Sequence, residues 1–195
     1  MNNMTKILIL FCAISSLLYS QTFQLGLRSE STWYNTTNGT ESVAFTHAFV
    51  TAGFYEENVP LIHNLTEEIR FGRTFDPNDM VGNDLVLAFK SRIIKTPISG
   101  SWFYITLGLN MHSNIGDNGA EWAVYVKRIY MLIFGVGFIM DKYVFVEVST
   151  YFPVSNATLG DYVYNYINGN FVSKQWKLNS LIAINFGLTL DIFHF

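Results

Sequence analysis

The chain has 195 residues with a formal net charge of −3, and only 14% of them are charged, whereas a soluble domain carries about 25%. This charge balance argues against a nucleic acid as a partner. The mean hydropathy is positive, yet beyond residue 20 no stretch offers the roughly 18 continuous apolar residues of a transmembrane helix. A hydrophobic chain without such a helix has one common route across a bilayer, a closed barrel of strands, because hydrocarbon cannot hydrogen-bond a bare backbone.

The first twenty residues predict a secretory signal peptide. Lys6 precedes an apolar run over residues 7–18, and the small or polar residues 19–21 supply a cleavage point. With cleavage after residue 20, residues 21–195 form the mature domain, with eleven Lys and Arg against fifteen Asp and Glu and a formal charge of −4. The single cysteine, Cys12, lies inside the predicted signal peptide. We therefore expect an exported domain that is held together without disulfides.

Eight segments of the mature domain alternate large apolar residues with small or polar ones, the period-two pattern of a strand. The predicted strands lie, in chain order, at about residues 23–28, 43–55, 66–74, 85–92, 102–111, 130–138, 144–149 and 182–192. The third pattern is interrupted, because Glu67 and Arg73 share the parity of its apolar residues. The sixth could extend back to Trp122. The eighth should pair with the first and close a ring.

The connections between these segments alternate between short and long. Three are tight, at residues 56–60, 95–100 and 141–142, and four are longer and polar, at 35–42, 75–83, 112–120 and 153 to about 175. Short turns at one end and long loops at the other are typical of outer-membrane barrels, whose spanning strands need only about 9 to 11 residues. The sequence thus predicts an all-β fold, a closed up-and-down antiparallel transmembrane β-barrel of eight strands with both ends of the mature domain on the periplasmic side.

The inward parity predicts the content of the barrel. If the large apolar faces meet lipid, the lumen receives four positive and four negative side chains, namely Arg28, Glu30, Glu68, Arg70, Lys90, Arg92, Glu147 and Asp191. Eight strands leave a space just wide enough for side chains, and buried charges must be paired. We therefore expect a lumen charge network that plugs the barrel. Contact with water is an alternative for Arg28, Glu30 and Arg92, which lie near predicted strand ends.

Aromatic residues cluster near the ends of the predicted strands. A ring with an apolar body and a polar tip suits the headgroup region of a membrane. The residues predicted to lie at the two membrane interfaces are Trp33, Tyr55, Trp102, Trp122, Tyr143, Tyr151 and Trp176. Filling of a core is the alternative, since this is the usual role of buried aromatic side chains.

The signal peptide, the eight alternating segments, the alternating connections and the terminal Phe195 together resemble the small OmpA/OmpX-like outer-membrane barrels. The resemblance implies an integral protein of the bacterial outer membrane that contacts outer-membrane lipid and lipopolysaccharide and is delivered by the barrel-assembly machinery. It also implies a sorting signal at Phe193 and Phe195. Asp191 departs from the alternation of that signal, because the apolar face changes between Ile192 and Phe193. A bulge or a frayed end would absorb this change.

Three functional interpretations stay open. The first is a barrel without enzymatic activity whose loops serve structural, adhesive or partner-binding roles, with an unknown surface ligand. The second is a lipid-modifying enzyme that faintly resembles lipid A acyl hydrolases and uses His112 and Ser113, with Glu121 as the orienting carboxylate. Adjacent residues of a strand point to opposite faces, which opposes this arrangement.

The third interpretation is a soluble lipocalin-like carrier whose apolar faces point inward around a ligand. Its outer surface would then hold several glycines and few charges, which is a poor solvent surface. The histidines are scattered without the spacing of metal ligands, at His47, His63, His112 and His194. We expect neither a metal nor a cofactor.

Overall fold

The computed structural model describes residues 21–36, 44–57, 59, 64–74, 82–98, 100–114, 128–165 and 169–195. The strands are β1 (Gln21–Thr36), β2 (Ala44–Glu57), β3 (Asn64–Thr74), β4 (Gly82–Lys95), β5 (Trp102–Asn114), β6 (Arg128–Met140), β7 (Val144–Pro153), β8 (Thr158–Asn165) and β9 (Asn170–His194). Within these ranges, no helix is long and apolar enough to cross a membrane. The predicted signal peptide and Trp122 lie outside the described residues.

Eight of the strands form a closed ring. Each strand from β1 to β6 pairs antiparallel with the next one, β7 pairs with β9, and β9 returns to pair with β1. The predicted closed antiparallel barrel is confirmed, and β9 contains the predicted eighth strand. It meets β1 where the sequence placed the seam, with Leu25 opposite Leu190 and Leu27 opposite Leu188.

The period-two alternation of the sequence becomes an alternation between the inside and the outside of the ring. In β6, the buried Ile129 and Met131 alternate with the exposed Tyr130 and Leu132. Most of the large exposed side chains are apolar, such as Leu27 at 62% and Leu107 at 53% of full exposure. The carrier interpretation is wrong, because it requires these side chains to line the interior.

The two ends of the barrel differ. We call the end with the connections β2–β3, β4–β5 and β6–β7 the turn end, and the opposite end the loop end. At the turn end, β6 and β7 are joined by Asp141 and Lys142, both with positive φ (48° and 67°), and the amide of Tyr143 donates to the carbonyl of Met140 at 3.0 Å. This is the primed two-residue turn that matches the twist of a hairpin.

One strand escapes the sequence prediction. β8 pairs only with the Asn170–Lys177 part of β9, so the two form a two-stranded ribbon at the loop end. We call residues 158–177 the ribbon. Its eight paired positions extend the sheet by roughly 27 Å at about 3.4 Å per residue. The interpretation of residues 153 to about 175 as a polar loop is therefore wrong for most of this range. A hairpin needs only local backbone pairing, so its polar composition conceals it.

A β-bulge interrupts the seam near the C-terminus. Phe23 lies opposite Phe193 and Gln24 lies opposite Asp191, which leaves Ile192 as the extra residue. An extra residue shifts the parity of everything that follows it. Of the two alternatives for the change of face between Ile192 and Phe193, a bulge or a frayed end, the structure shows the bulge.

Candidate functional site

Six ionisable side chains meet in the middle of the barrel. We call them the central lumen cluster, and its members are Arg28, Glu30, Glu68, Arg70, Lys90 and Glu147. All are less than one-tenth exposed. They come from β1, β3, β4 and β7, where the inward parity of each strand carries them. Arg28 and Glu30 are each 2% exposed and Arg92 is 5% exposed, so the alternative of water contact does not hold for them.

Glu147 accepts hydrogen bonds from three side chains and lies near a fourth. Its Oε1 accepts hydrogen bonds from Nη2 of Arg28 and from Oγ of Ser149, the latter at 2.6 Å. Its Oε2 accepts from Oγ1 of Thr106 at 2.8 Å. The Nη1 atom of Arg70 lies 4.0 Å from Oε1. A buried carboxylate is tolerated when cations and donors surround it in this way.

The other two carboxylates are held similarly. Glu68 accepts from Nε of Arg70 and from Nζ of Lys90. Glu30 accepts from the hydroxyl of Tyr151 at 2.8 Å, and Nε of Arg28 lies 3.6 Å from the same oxygen. With three cations and three carboxylates, the cluster is formally neutral and cross-links strands around the ring.

Aromatic rings complete the wall around these cations. Nζ of Lys90 lies 4.7 Å from the ring centroid of Phe145 and 5.7 Å from that of Tyr104. The Tyr104 ring occupies the space over Gly137, where a Cβ atom would overlap it. Close contact of ring and backbone therefore depends on this glycine. A cavity of about 20 Å³ remains beside Lys90 and Arg92, enough for about one water molecule.

The remaining two predicted lumen residues lie nearer the turn end. The guanidinium of Arg92 is stacked on the ring of Tyr55, 4.0 Å from its centroid. Asp191 is exposed and accepts a hydrogen bond from Nε2 of Gln24 at 2.7 Å. Placing Asp191 inside the lumen network is a wrong prediction. Its parity is inward, but it lies at the rim, next to the bulge, where the ring ends.

A second polar group, which sequence reasoning missed, lies toward the loop end. We call His47, Asp84 and His112 the histidine cluster. Oδ1 of Asp84 lies 3.0 Å from Nδ1 of His112 and accepts a hydrogen bond from Nδ2 of Asn110 at 3.0 Å. Nε2 of His47 lies 3.7 Å from Oδ2 of Asp84. Extending the inward parity of the fourth and fifth predicted strands by one step would have found Asp84, just before the fourth strand, and His112, which the sequence prediction assigned to a loop.

The residues of the enzyme interpretation do not come together in the described part of the chain. His112 is fully buried and points into the lumen, whereas Ser113 is half-buried on the outer face. The carboxylate beside His112 is Asp84, and Glu121 lies outside the described residues. Within the described ranges, no three His, Cys, Asp or Glu side chains are grouped as metal ligands.

The five predicted interface aromatics whose side chains the structure describes divide into two groups. Trp33 and Tyr143 are exposed, and Trp102 is partly buried against the cluster of Tyr104, Ile139 and Phe145. Tyr55 and Tyr151 are corrections, since both are buried in the lumen and their hydroxyls donate to Asn64 and Glu30. Their position near a strand end concealed their inward parity. Trp122 lies outside the described residues, and Trp176 lies in the ribbon.

Two phenylalanines at the turn end were not among the aromatics that the sequence predicted at the interfaces: Phe103, which is exposed, and Phe138, which is half-buried. Phe103 and Phe138 are neighbours across β5 and β6, with ring centroids 4.9 Å apart. Phe193 and Phe195 are 60% and 76% exposed. Their ring centroids are 6.5 Å apart. Their role as a sorting signal stays a prediction.

Comparisons with known proteins give similar solved structures. No model of a known protein family matches the sequence, and no curated protein is similar enough to count as a relative. The N-terminal β-barrel domain of Pseudomonas aeruginosa OprF is 14% identical, with a TM-score of 0.47 over 88% of this chain and 99% of that one. Neisserial surface protein A (NspA) is 11% identical, with a TM-score of 0.49 over 87% and 97%. By its own strand pairing, the chain is a closed eight-stranded antiparallel β-barrel, the architecture implied by the resemblance to small OmpA/OmpX-like barrels.

Proposed function

We propose that the chain is an integral outer-membrane barrel protein without enzymatic activity, which displays its loop end at the cell surface. The observation that carries this proposal is the distribution of polarity. Large apolar side chains cover the outside of the ring, while the central lumen cluster and the histidine cluster are buried inside it. A protein dissolved in water has the reverse arrangement, because burying apolar surface is the main force that favours its folding.

The height of the apolar surface supports a membrane as the surrounding medium. In β5, the outward residues from Phe103 to Met111 cover nine positions, or roughly 27 Å along a strand that rises about 3.3 Å per residue. With the tilt of about 40° found in such barrels, this length spans roughly 20 Å, close to the apolar band of an outer-membrane barrel.

The ends of the barrel support an orientation. Short connections face the periplasm in known barrels and long ones face outward, so the turn end, with Gln21 and Phe195, would lie in the periplasm. The ribbon and the long connections would then lie outside the cell. A lumen filled by paired charges leaves these surface segments as the part available for structural, adhesive or partner-binding roles.

Single cysteine variants test location and orientation together. The only native cysteine is Cys12, inside the predicted signal peptide, so the unmodified chain is the labelling control. Asn156, beside the ribbon, and Ile98, in the β4–β5 connection, are both exposed. We expect a membrane-impermeant maleimide to label Asn156→Cys on intact cells and Ile98→Cys only after the outer membrane is permeabilised.

The opposite labelling pattern would reverse the orientation. Recovery of the folded protein from the soluble fraction, without detergent, would contradict the membrane location. Folding is checked separately, since a barrel that stays folded in detergent migrates differently on a gel before and after heating.

A further inference from the structure

Polar side chains form a row across the outer face of four adjacent strands at the loop end. The strand registers place Arg73 opposite Asn83, Asn83 opposite Ser113, and Ser113 opposite Arg128. Arg73 and Arg128 are exposed, while Asn83 and Ser113 are half-buried. We call these four residues the polar row. Three strand spacings of about 4.8 Å separate the two arginine positions by roughly 14 Å.

The polar row borders a continuous apolar surface. One step toward the middle of the barrel, the same registers align Phe71, Leu85, Met111 and Tyr130 on the outer face. The following step aligns Ile69, Leu87, Leu109 and Leu132. Phe71 is 61% exposed and Leu132 is 47% exposed. Two guanidinium groups therefore lie at the loop-end edge of an outer surface whose other residues are suited to contact with hydrocarbon.

At the loop end of this outer face, both charged residues of the polar row are positive. Among the described residues, the ion pairs include neither Arg73 nor Arg128. The described carboxylate on the outer face of these four strands is Glu67, six residues and roughly 20 Å from Arg73 at about 3.3 Å per residue. On the opposite side of the ring, Trp33 of β1 and Ile182 of β9 face each other at the loop end instead of basic residues.

We propose that the outer wall of β3 to β6 binds one phosphorylated glycolipid of the outer leaflet, of the lipid A class. Arg73 and Arg128 contact phosphate groups at the two sides of its headgroup, and Asn83 and Ser113 face the sugars between them. Guanidinium groups suit phosphate because their donors match its oxygens. The acyl chains lie over the apolar rows of Phe71 and Ile69. This site rests on the proposed membrane location of the barrel.

The test uses the full mature chain, folded in a zwitterionic detergent and titrated with bisphosphorylated lipid A. The variant Arg73→Gln/Arg128→Gln should bind at least about tenfold more weakly, since each lost charged contact reduces affinity. The matched control is Lys95→Gln/Lys142→Gln, which removes two exposed positive charges at the turn end. The control should bind like the unmodified chain.

Two further ligands test whether binding requires the phosphate groups and whether phosphate alone is sufficient. Lipid A without phosphates should bind the unmodified chain as weakly as bisphosphorylated lipid A binds the arginine variant. Inorganic phosphate should not displace the lipid. Equal binding by the arginine variant, an equal loss in the lysine control, or displacement by inorganic phosphate would each overturn the proposal. Heat-dependent gel mobility verifies that every variant is folded, so failure here is distinguishable from failure of the membrane location, which the cysteine labelling tests.

Discussion

Glu147 stabilises the barrel interior because several strands donate to one carboxylate. Arg28 comes from β1, Thr106 from β5 and Ser149 from β7, and each donates a hydrogen bond to it. Arg70 of β3 lies within ion-pair distance. Removing one partner from a buried group of charges leaves the others uncompensated, which is costly in a medium of low polarity. The free energy of unfolding should therefore depend more on this carboxylate than on any charge at the rim.

The variant Glu147→Gln tests this dependence. It keeps the shape and a hydrogen-bonding oxygen but removes the negative charge between two arginines, so we expect a loss of about 3–5 kcal/mol in the free energy of unfolding. Urea-induced unfolding in lipid vesicles measures it.

The matched control for this variant is Glu57→Gln, the same change at an exposed residue near the turn end, and it should alter stability by less than about 1 kcal/mol. Equal effects of the two variants would mean that Glu147 does not have the central position assigned to it.

Parity predicted whether a side chain points inward or outward. It did not predict the position of that side chain along the barrel axis. The sequence placed Glu147 inside because the two faces of its strand are distinct. The same reasoning failed for Asp191, since parity does not tell whether an inward residue lies within the lumen or at its exposed rim. It also misplaced Tyr55 and Tyr151, because a tyrosine near a strand end suits both an interface and a lumen. The partners within the lumen depend on register and shear, which no single strand encodes.

At the scale of elements, the ribbon is separable from the ring. Its strands pair with each other, and the ring pairing of β9 involves residues from Leu178 onward. Just below the ribbon, the amide of Leu178 donates to the carbonyl of Ala157 at 3.0 Å, and both residues are buried. The ribbon therefore begins next to a buried contact between β9 and the connection from β7 to β8.

Replacing residues 159–176 by Asn-Gly should leave the barrel intact. Thr158 and Lys177 are already paired, so a two-residue turn that favours positive φ can join them. We expect the shortened chain to fold in detergent with the same heat-dependent mobility shift as the full chain.

The matched control for the shortened chain removes part of the ring instead. Deletion of Asn185 and Phe186 from β9 should abolish the mobility shift, because the strand must pair on both sides. Loss of folding in the ribbon variant would show that the ribbon supports the ring.

Most elements of the ring were predictable because their two faces differ, with large apolar residues on the outward face and small or polar residues on the inward face. In β5 the alternation from Phe103 to Met111 leaves no other interpretation. The limits of the strands were less visible, since β4 begins at Gly82 and β5 continues to Asn114, inside segments that read as polar loops. Strand ends beyond the apolar band have no reason to alternate, and this is also why the ribbon was missed.

On the scale of the whole molecule, the closure of the ring and the filling of its lumen by side chains depend on each other. Eight strands enclose a space that side chains can fill, and here it holds the central lumen cluster, the histidine cluster and an apolar group that includes Met131, Ile133 and Leu181. Glycines such as Gly137 admit the rings that fill the remaining width. The contacts among the side chains that fill the lumen thus stabilise the barrel.

A filled lumen predicts that the folded protein does not conduct small solutes. We expect liposomes that contain the purified barrel to show no swelling in isosmotic arabinose, because the charges of the central lumen cluster are directly paired and the cavity beside Lys90 holds only about 20 Å³. A general porin of sixteen strands, reconstituted at the same protein-to-lipid ratio, is the positive control for swelling. Swelling at a comparable rate would mean that the paired charges open into a continuous path, and the lumen would then have to be regarded as a pore.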